Sequence, residues 1–337
     1  MRTQTEWFTG VFLAGFRQVT ARTATPRLIT LHVVVLTMHP GTGIHMKGGV
    51  ITERNPGFVT VRIRAPAGSL TADQIRGIAT IAKKYGTGTV HCTTRQALEI
   101  PHVRPETLKR VAARLEKNGT PLGSEKDEIV NITSCPGTEC CKFATIDTIG
   151  LAQKIDEKLF GKTMPVKMRI ALSGCPNACT SPMLNEIGII GRIRPVRTAG
   201  LCTGCGSCVY YCKENAIRIR NGISELDEKK CVQCGMCVTS CSFNLLKEAH
   251  THFLITVGGR RGRHPKVGRE FLTVESDEQV LFAIEKIVDW VYRRAWSGRL
   301  LSEQLDELQF EKLREGIAAS LPKIGPEQQD QPADKSE

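Results

Sequence analysis

The chain has 337 residues, with 46 lysines and arginines against 34 acidic residues, a formal charge of +12 and only 5% aromatics. That length permits two or three domains with a sizeable core, and a pI near 9.1 raises the question of a polyanionic partner. No apolar run reaches the roughly 18 residues of a membrane-spanning helix, no signal-peptide pattern is evident, and 14 cysteines in short regular spacings speak against a disulfide scaffold and for a reducing cytoplasm.

Residues 1–45 read as an N-terminal extension of uncertain status. Gly10, Gly15 and Pro26 break any helical stripe, and Leu28–Leu36, β-branched and too short to span a bilayer, reads as a strand. Met46 stands as an alternative start. Residues 46–124 form a first domain. F-V-T-V-R-I-R at 58–64 alternates as a strand and puts Arg62 and Arg64 on one face. Ser69 or Thr71 then caps a helix running to Tyr85, with Ile75, Ile78, Ala79 and Ala82 as its apolar stripe. Thr89–Thr94 and Leu98–Ile100 are short strands. Pro105–Asn118 is a second helix with Leu108, Val111, Ala112 and Leu115 inward and Gly119 after it. Such alternation implies a small α/β layer domain.

A second domain is expected over 125–197 and 248–296. The strand Ile129–Thr133 delivers Cys135 and Cys141, a helix covers Phe143–Leu159, the strand Val166–Leu172 delivers Cys175 and Cys179, and Ile187–Ile193 is a further strand. Phe253–Val257 resumes the pattern after residues 198–247, which therefore look inserted, and Asp277–Tyr292 is a strong helix. Residues 297–321 are a helical segment centred on Ser302–Ala319. Residues 322–337 are polar and contain proline, as a disordered tail would.

The insertion carries two C-x2-C-x2-C-x3-C runs: Cys202, Cys205, Cys208 and Cys212, then Cys231, Cys234, Cys237 and Cys241. A tight loop of this spacing wraps three corners of a 4Fe–4S cube, and in two-cluster modules the fourth ligand crosses over. Cys202, Cys205, Cys208 and Cys241 are thus assigned to one cluster, and Cys231, Cys234, Cys237 and Cys212 to the other. Structural zinc is the plain alternative, but the regular repeat disfavours it. The proline usual after each fourth cysteine is replaced by Lys213 and Ser242. Two cubes in one module form an electron relay, which needs a sink.

The second cysteine set supplies one. Cys135 lies in T-S-C-P-G-T-E-C-C-K-F-A and Cys175 in A-L-S-G-C-P-N-A-C, each on a turn that follows a predicted strand, where α/β proteins place ligands. These C-x5-C and C-x3-C pairs, in this context, resemble the sulfite and nitrite reductase family, whose active site joins siroheme to a 4Fe–4S cluster. The resemblance runs from about Lys47 to Asp289 around the insertion. The nearest type is the small anaerobic sulfite reductase subunit with an inserted two-cluster ferredoxin domain. It implies an α+β fold: a ferredoxin-like α/β layer domain followed by a siroheme/4Fe–4S reductase domain with the inserted module.

The resemblance further implies that Cys135, Cys141, Cys175 and Cys179 hold a third cluster, with the Cys179 sulfur bridging to the siroheme iron. Cys140 is then spare, and Cys92 reads as a small apolar strand residue. V-R-I-R-A-P-A-G resembles the family strand bearing a substrate-facing arginine, and V-K-M-R-I the strand with two cationic positions, where Arg169 replaces a more usual lysine. Arg62, Arg64, Lys167 and Arg169 are accordingly the expected catalytic cations. Thr93, Thr94 and Arg95 of T-T-R-Q-A-L-E-I, with Arg260, Arg261 and Arg263 of G-G-R-R-G-R-H-P, are expected to bind siroheme. His91 and His102 are possible proton relays. Some of these residues have plain readings as solvated strand or loop positions.

The expected activity is six-electron reduction of sulfite to sulfide. Nitrite reduction to ammonium and a non-reductase tetrapyrrole carrier are the alternatives. The cofactors are siroheme and three 4Fe–4S clusters. Their negative charge, about −2 per oxidised cube and more from the siroheme carboxylates, turns the basic surplus inward and away from nucleic acid. One copy of a fold that larger relatives carry twice implies a homodimer or a heteromeric complex, with an electron-donor protein or subunit. No Rossmann fingerprint accompanies a βαβ unit, so nicotinamide or flavin chemistry is expected on that partner.

Overall fold

A computed structural model describes residues 48–124, 127–198, 200 and 202–323, together with the backbone of 36–37 and 45–46. Expectations for residues 1–35 and for the tail from 324 onward lie outside the described residues.

In the first domain, β1 (Leu36–Thr37), β2 (His45–Met46), β3 (Val50–Thr52) and β4 (Val59–Ile63) lead to α1 (Ala72–Tyr85), β5 (His91–Cys92), β6 (Leu98–Val103) and α2 (Leu108–Lys117). The strands form one antiparallel sheet in the order β1-β2-β3-β4-β6-β5. Strand alternation turns Val59, Val61 and Ile63 into a core shared with Ile78, Ile81, Val111 and Leu115 of the helices. The opposite face carries Arg62 and Arg64. Thr71 and Gln74 close a capping box at the start of α1. The buried stripe of α1 is Ile78, Ile81 and Ala82, so the helix packs through its C-terminal half and leaves Ile75 exposed. The expected 89–94 strand shrinks to His91–Cys92, and Cys92 is exposed rather than packed.

The second domain opens with β7 (Thr133–Ser134), α3 (Thr148–Leu159), β8 (Ile170–Ser173) and β9 (Ile187–Arg197). The inserted module holds α4 (Ser207–Tyr211), the hairpin β10 (Ile217–Arg220) and β11 (Ile223–Leu226), and α5 (Met236–Thr239). β12 (Leu246–Val257), β13 (Arg269–Val274), α6 (Asp277–Arg294), α7 (Leu301–Gln304) and α8 (Phe310–Ser320) complete the chain. The sheet order is β13-β12-β9-β8-β7, parallel from β7 to β9 and antiparallel beyond. Ile155 of α3, Ile170, Ile189, Ile255 and Ile284 and Ile287 of α6 lie in its core.

Two helical expectations change. Asp147 accepts a hydrogen bond from the Gly150 amide and starts α3 there, so residues 143–147 are loop. The expected Ser302–Ala319 helix is split into α7 and α8 at Gln309, whose φ of 60° leaves the right-handed helix and turns Phe310 into the core.

β9 and β12 pair from Ile187↔Val257 to Arg197↔Leu246, with a bulge between Glu248 and His250. The insertion therefore takes the place of the turn at the end of a long β-hairpin. Its own buried cluster is small: Cys208, Ile217, Cys237 and Leu246. So little apolar burial leaves the module dependent on whatever its cysteines hold. It is docked back on the hairpin by the Ile193 amide donating to the Gln233 carbonyl at 2.8 Å, and by His252 Nε2 2.8 Å from Gln233 Oε1. Among the described residues no helix is long and apolar enough to cross a membrane.

The two domains are joined by an ion pair. Arg64 donates from Nε to Asp156 Oδ2 at 2.7 Å, its second nitrogen reaches the same oxygen, and its guanidinium lies 4.4 Å from the centre of the Phe160 ring. Asp156 is only 1% exposed, and burial pushes its carboxyl up while Arg64 pulls it down. Arg64→Ala strands that carboxylate and is expected to destabilise the protein by about 3 kcal/mol, read as a drop in thermal midpoint. The double variant Arg64→Ala/Asp156→Asn should recover most of the loss; an unchanged midpoint in the single variant would contradict the assignment.

Candidate active site and metal centres

The two cysteine loops leave the ends of β7 and β8, neighbouring parallel strands, and so rise side by side. They touch at two glycines. A Cβ on Gly174 would lie 2.8 Å from Ala144 Cβ and 3.4 Å from Gly137 Cα; one on Gly137, where φ is +60°, would lie 2.5 Å from the Thr148 hydroxyl. Only glycine allows that approach. The Gly174 amide donates to Cys135 Sγ at 3.1 Å, the Thr145 amide donates to Gly174 O at 2.7 Å, and the Thr148 hydroxyl donates to Cys135 O at 2.7 Å. Ala178 and Ser181, on either side of Cys179, both have φ of 51°, a left-handed conformation costly for residues with a side chain. The outcome is convergence. Burial, followed by the neighbouring thiols of Cys141, Cys179 and Cys135, raises the Cys175 pKa.

The T-T-R-Q turn of the first domain packs on the same strand end. Gln96 Nε2 donates to Ser134 O at 2.6 Å and its Oε1 accepts from the Ser134 amide at 2.8 Å, while Asn131 donates to Arg95 O at 2.8 Å. Arg95 is thereby fixed beside the strand that carries Cys135. It lines a cavity of about 390 Å³ with Arg62, Lys167, Asp127, Pro165, Val166 and the segment Gly298–Leu300. Arg169 lies near enough to act on Arg95 and Lys167 electrostatically.

The charges in this cavity are unequally matched. Arg62 donates to Glu99 Oε1 from Nε at 2.9 Å and from its second nitrogen at 2.8 Å, and Arg169 grips Glu186 with a two-bond fork at 2.8 and 2.9 Å. Arg95 and Lys167 have no carboxylate partner among the described residues. Burial first, then Arg95 and Arg169, lowers the pKa of Lys167, although its side chain stays open to the cavity; burial and Arg62 do the same for Arg95. Clustered cations without counterions favour the binding of an anion. β8 begins only at Ile170, so Lys167 and Arg169 precede the strand, yet buried Met168 between them keeps both on the open side.

The other expected site residues are more scattered. Arg64 does not line this cavity, being held by Asp156. The Thr93 hydroxyl accepts from the Arg95 and Ala97 amides and braces the turn, and Thr94 is exposed. Arg261 reaches the carbonyl of Thr180, next to Cys179, whereas Arg260 is tied to His264 O and Glu303, and Arg263 is exposed. His91 is engaged with Glu99 and His102 with Glu53. The sequence alone does not reveal Asp127, the pairing carboxylates Glu99 and Glu186, or Arg299; their place follows from sheet register and from a C-terminal segment that carries no motif.

In the inserted module the thiols fall into two crossed groups. The electrostatic neighbours of Cys208 are Cys202 and Cys241, and Cys205 acts on Cys241; those of Cys237 are Cys234, Cys231 and Cys212. Burial and those three thiols push Cys237 up to about 12. A second cavity of about 550 Å³ is lined by Cys212, Cys231, Cys234 and Cys237 and also by Cys175, with Lys142, Phe143, Pro176 and Tyr211 between. The group containing Cys212 is thus the inner one, next to the Cys135–Cys179 site. The group containing Cys241 is the outer one, with Cys205 exposed.

Among the described residues no three His, Cys, Asp or Glu side chains close on one point as a single ion requires. Four thiols that act on one another electrostatically suit a polynuclear cluster, in which each sulfur meets its own iron. The cation cavity beside them suits a polycarboxylate. A metal-cluster oxidoreductase with a cation-lined cavity is the class that this fold and site define.

Comparison with known proteins agrees. Residues 51–118 match the nitrite/sulfite reductase ferredoxin-like half domain, and residues 125–324 match the nitrite and sulphite reductase 4Fe-4S domain. The chain belongs to this family of oxidoreductases. It is 34% identical over 286 residues to an uncharacterized protein of Methanocaldococcus jannaschii, covering 84% of this chain and 98% of that protein. It is 33% identical over 241 residues to the coenzyme F420-dependent sulfite reductase of the same organism, covering 71% of this chain but only 38% of that enzyme. An anaerobic sulfite reductase subunit of Salmonella typhimurium is 29% identical over 253 residues, 69% of this chain and 74% of that protein. In fold, the chain resembles dissimilatory sulfite reductase I, with a TM-score of 0.65 and 20% identity over 82% of this chain and 72% of that one.

Proposed function

We propose that this chain carries the six-electron reduction of sulfite, SO3²⁻ + 6e⁻ + 7H⁺ → HS⁻ + 3H2O, at siroheme coupled to the cluster held by Cys135, Cys141, Cys175 and Cys179. The observation that carries the reading is the shared cavity, which sets Cys175 against all four thiols of the inner group. Cys202, Cys205, Cys208 and Cys241 would hold an outer cluster and Cys212, Cys231, Cys234 and Cys237 an inner one, and the two would supply an electron relay towards the siroheme-coupled site. The names of the relatives support sulfite over nitrite.

Bound siroheme and its cluster supply the electron chemistry; the protein supplies position, charge and protons. Lys167, unmatched by a carboxylate, holds the substrate anion and stabilises the charge on its departing oxygens, while Arg95, equally unmatched, faces a siroheme carboxylate. Lys167 is the proton donor of the two, because an ammonium softened by burial gives up a proton more readily than a guanidinium. Arg62 and Arg169, braced by Glu99 and Glu186, keep the field of the cavity positive with little freedom to collapse. Arg261 and Arg263 face siroheme carboxylates. The electron donor, a separate protein or subunit, docks by the outer cluster, where Cys205 and Tyr210 are exposed. The assembly is made whole by a second copy of the chain or by a related protein.

Anaerobic purification with iron, acid-labile sulfide and tetrapyrrole analysis tests this. Three cubes and one siroheme give about thirteen irons and twelve sulfides per chain. Eight irons with no tetrapyrrole would reduce the chain to a ferredoxin-like carrier. A full complement without turnover of either anion would favour a non-reductase tetrapyrrole protein, and faster nitrite turnover at matched saturation would move the assignment to nitrite.

A further inference from the structure

One wall of the cation cavity comes from a segment that no motif marks. Residues 296–300 link α6 to α7, and Gly298, Arg299 and Leu300 line the cavity together with Pro165 and Val166. The link is built rather than loose. Gln304, fully buried, accepts from the Trp296 amide at 2.8 Å and donates to the carbonyls of Trp296 and Arg299, both at 3.2 Å. Its amide thus clasps the segment at both ends. Gly298 has a φ of +81° with open space where a side chain would stand, so the turn is set by backbone alone.

The guanidinium of Arg299 already holds a carboxylate. Its two terminal nitrogens donate to the two oxygens of Glu307, at 2.8 and 2.7 Å, in the parallel fork that suits arginine and a carboxylate. Both partners are well exposed, at 42% and 55%. An exposed pair contributes little to stability and is easily exchanged. The cavity in turn is far larger than a sulfite ion and roomy enough for the acidic edge of an organic cofactor. Its wall pairs apolar Pro165, Val166 and Leu300 with the arginine, as a flat macrocycle with acidic substituents would need.

We propose that Arg299 is a cofactor-binding residue, exchanging Glu307 for a peripheral carboxylate of the tetrapyrrole that seats among Arg62, Arg95 and Lys167. Glu307 is the internal competitor for that carboxylate. This rests on the siroheme reading above and extends it to a C-terminal position outside the recognised motifs.

The test uses the full chain, stripped of tetrapyrrole but with its clusters intact, and titrated with isolated siroheme by absorbance. Arg299→Leu is expected to weaken binding roughly tenfold, as loss of one charge-assisted fork should, and Arg299→Lys to recover part of it. Glu307→Gln is expected to bind severalfold more tightly than wild type, because the competitor is gone. Thermal midpoints and iron content check that each variant is folded. Arg95→Leu separates the two claims. If wild type does not take up siroheme, the reading of the cavity fails. If Arg95→Leu loses affinity while Arg299→Leu binds like wild type, only the Arg299 assignment is overturned. A raised KM for sulfite with unchanged siroheme affinity would also overturn it, by giving Arg299 to the substrate.

Discussion

Replacing Lys167 with alanine is expected to lower sulfite turnover by roughly 10²- to 10³-fold, the loss typical when one charge-stabilising donor is removed from a reacting anion. Siroheme and iron content should change far less, because the cysteine loops hang on the ends of β7 and β8 and do not use this side chain. The pH profile gives a second readout. Burial, then Arg95 and Arg169, lowers the Lys167 pKa, so the ammonium is lost at a lower pH than in a free lysine. Wild-type turnover should therefore fall on the alkaline side as pH rises through that lowered value, and Lys167→Arg should push the fall to higher pH. The sign for stability is opposite. In the window between the lowered and the ordinary lysine pKa, the unfolded chain binds the extra proton, so the anion-free protein gains stability as pH rises. A bound anion favours the charged form and should flatten that trend. Fully loaded Lys167→Ala with wild-type kcat and KM would remove Lys167 from the reaction.

Replacing Cys212 with alanine should cut the electron path at its middle. By sequence Cys212 closes the first four-cysteine run; in space it lies with Cys231 and Cys237 of the second. The variant should lose or degrade the inner cluster, seen as a drop of about four irons per chain, and keep the outer one. Turnover with a protein donor should fall by more than the roughly 10- to 100-fold that outer-shell changes at metal sites cost. A small reductant that reaches the siroheme-coupled site directly should restore part of it. Electron paramagnetic resonance of the reduced protein distinguishes the clusters. Loss of the outer signal with retention of the inner one would mean that each run holds its own cube, and the relay order argued from the shared cavity would fail.

Both predictions concern residues that sequence and structure identify to different degrees. The cysteines are legible because ligand spacing is local: a loop of two-residue gaps either wraps a cube or does not, whatever surrounds it. The same holds for the helix start at Thr71, where a side-chain oxygen bonds an amide three residues on. The cations are another matter. Arg62, Arg64, Lys167 and Arg169 look equivalent in sequence, two pairs at i and i+2 before or within strands. The fold makes them unlike. Arg62 meets a carboxylate 37 residues away, Arg64 one 92 residues away, and Arg169 one 17 residues away, while Lys167 meets none among the described residues.

The sequence by itself determined the class of chemistry: twelve thiols in three sets, a ferredoxin-like insertion, and the surplus of positive charge needed around anions. Only the tertiary structure decided how these parts are ordered in space. It placed the inner group of thiols beside Cys175 by returning the insertion along the β9–β12 hairpin. It turned Arg64 into a joint between domains, left Arg95 and Lys167 open to the cavity, and brought Arg299 in from a segment with no signature. The physical reason is range. Ligand spacing, capping and strand alternation act over a few residues and are written in the chain, whereas which charge meets which is settled by sheet register and domain packing.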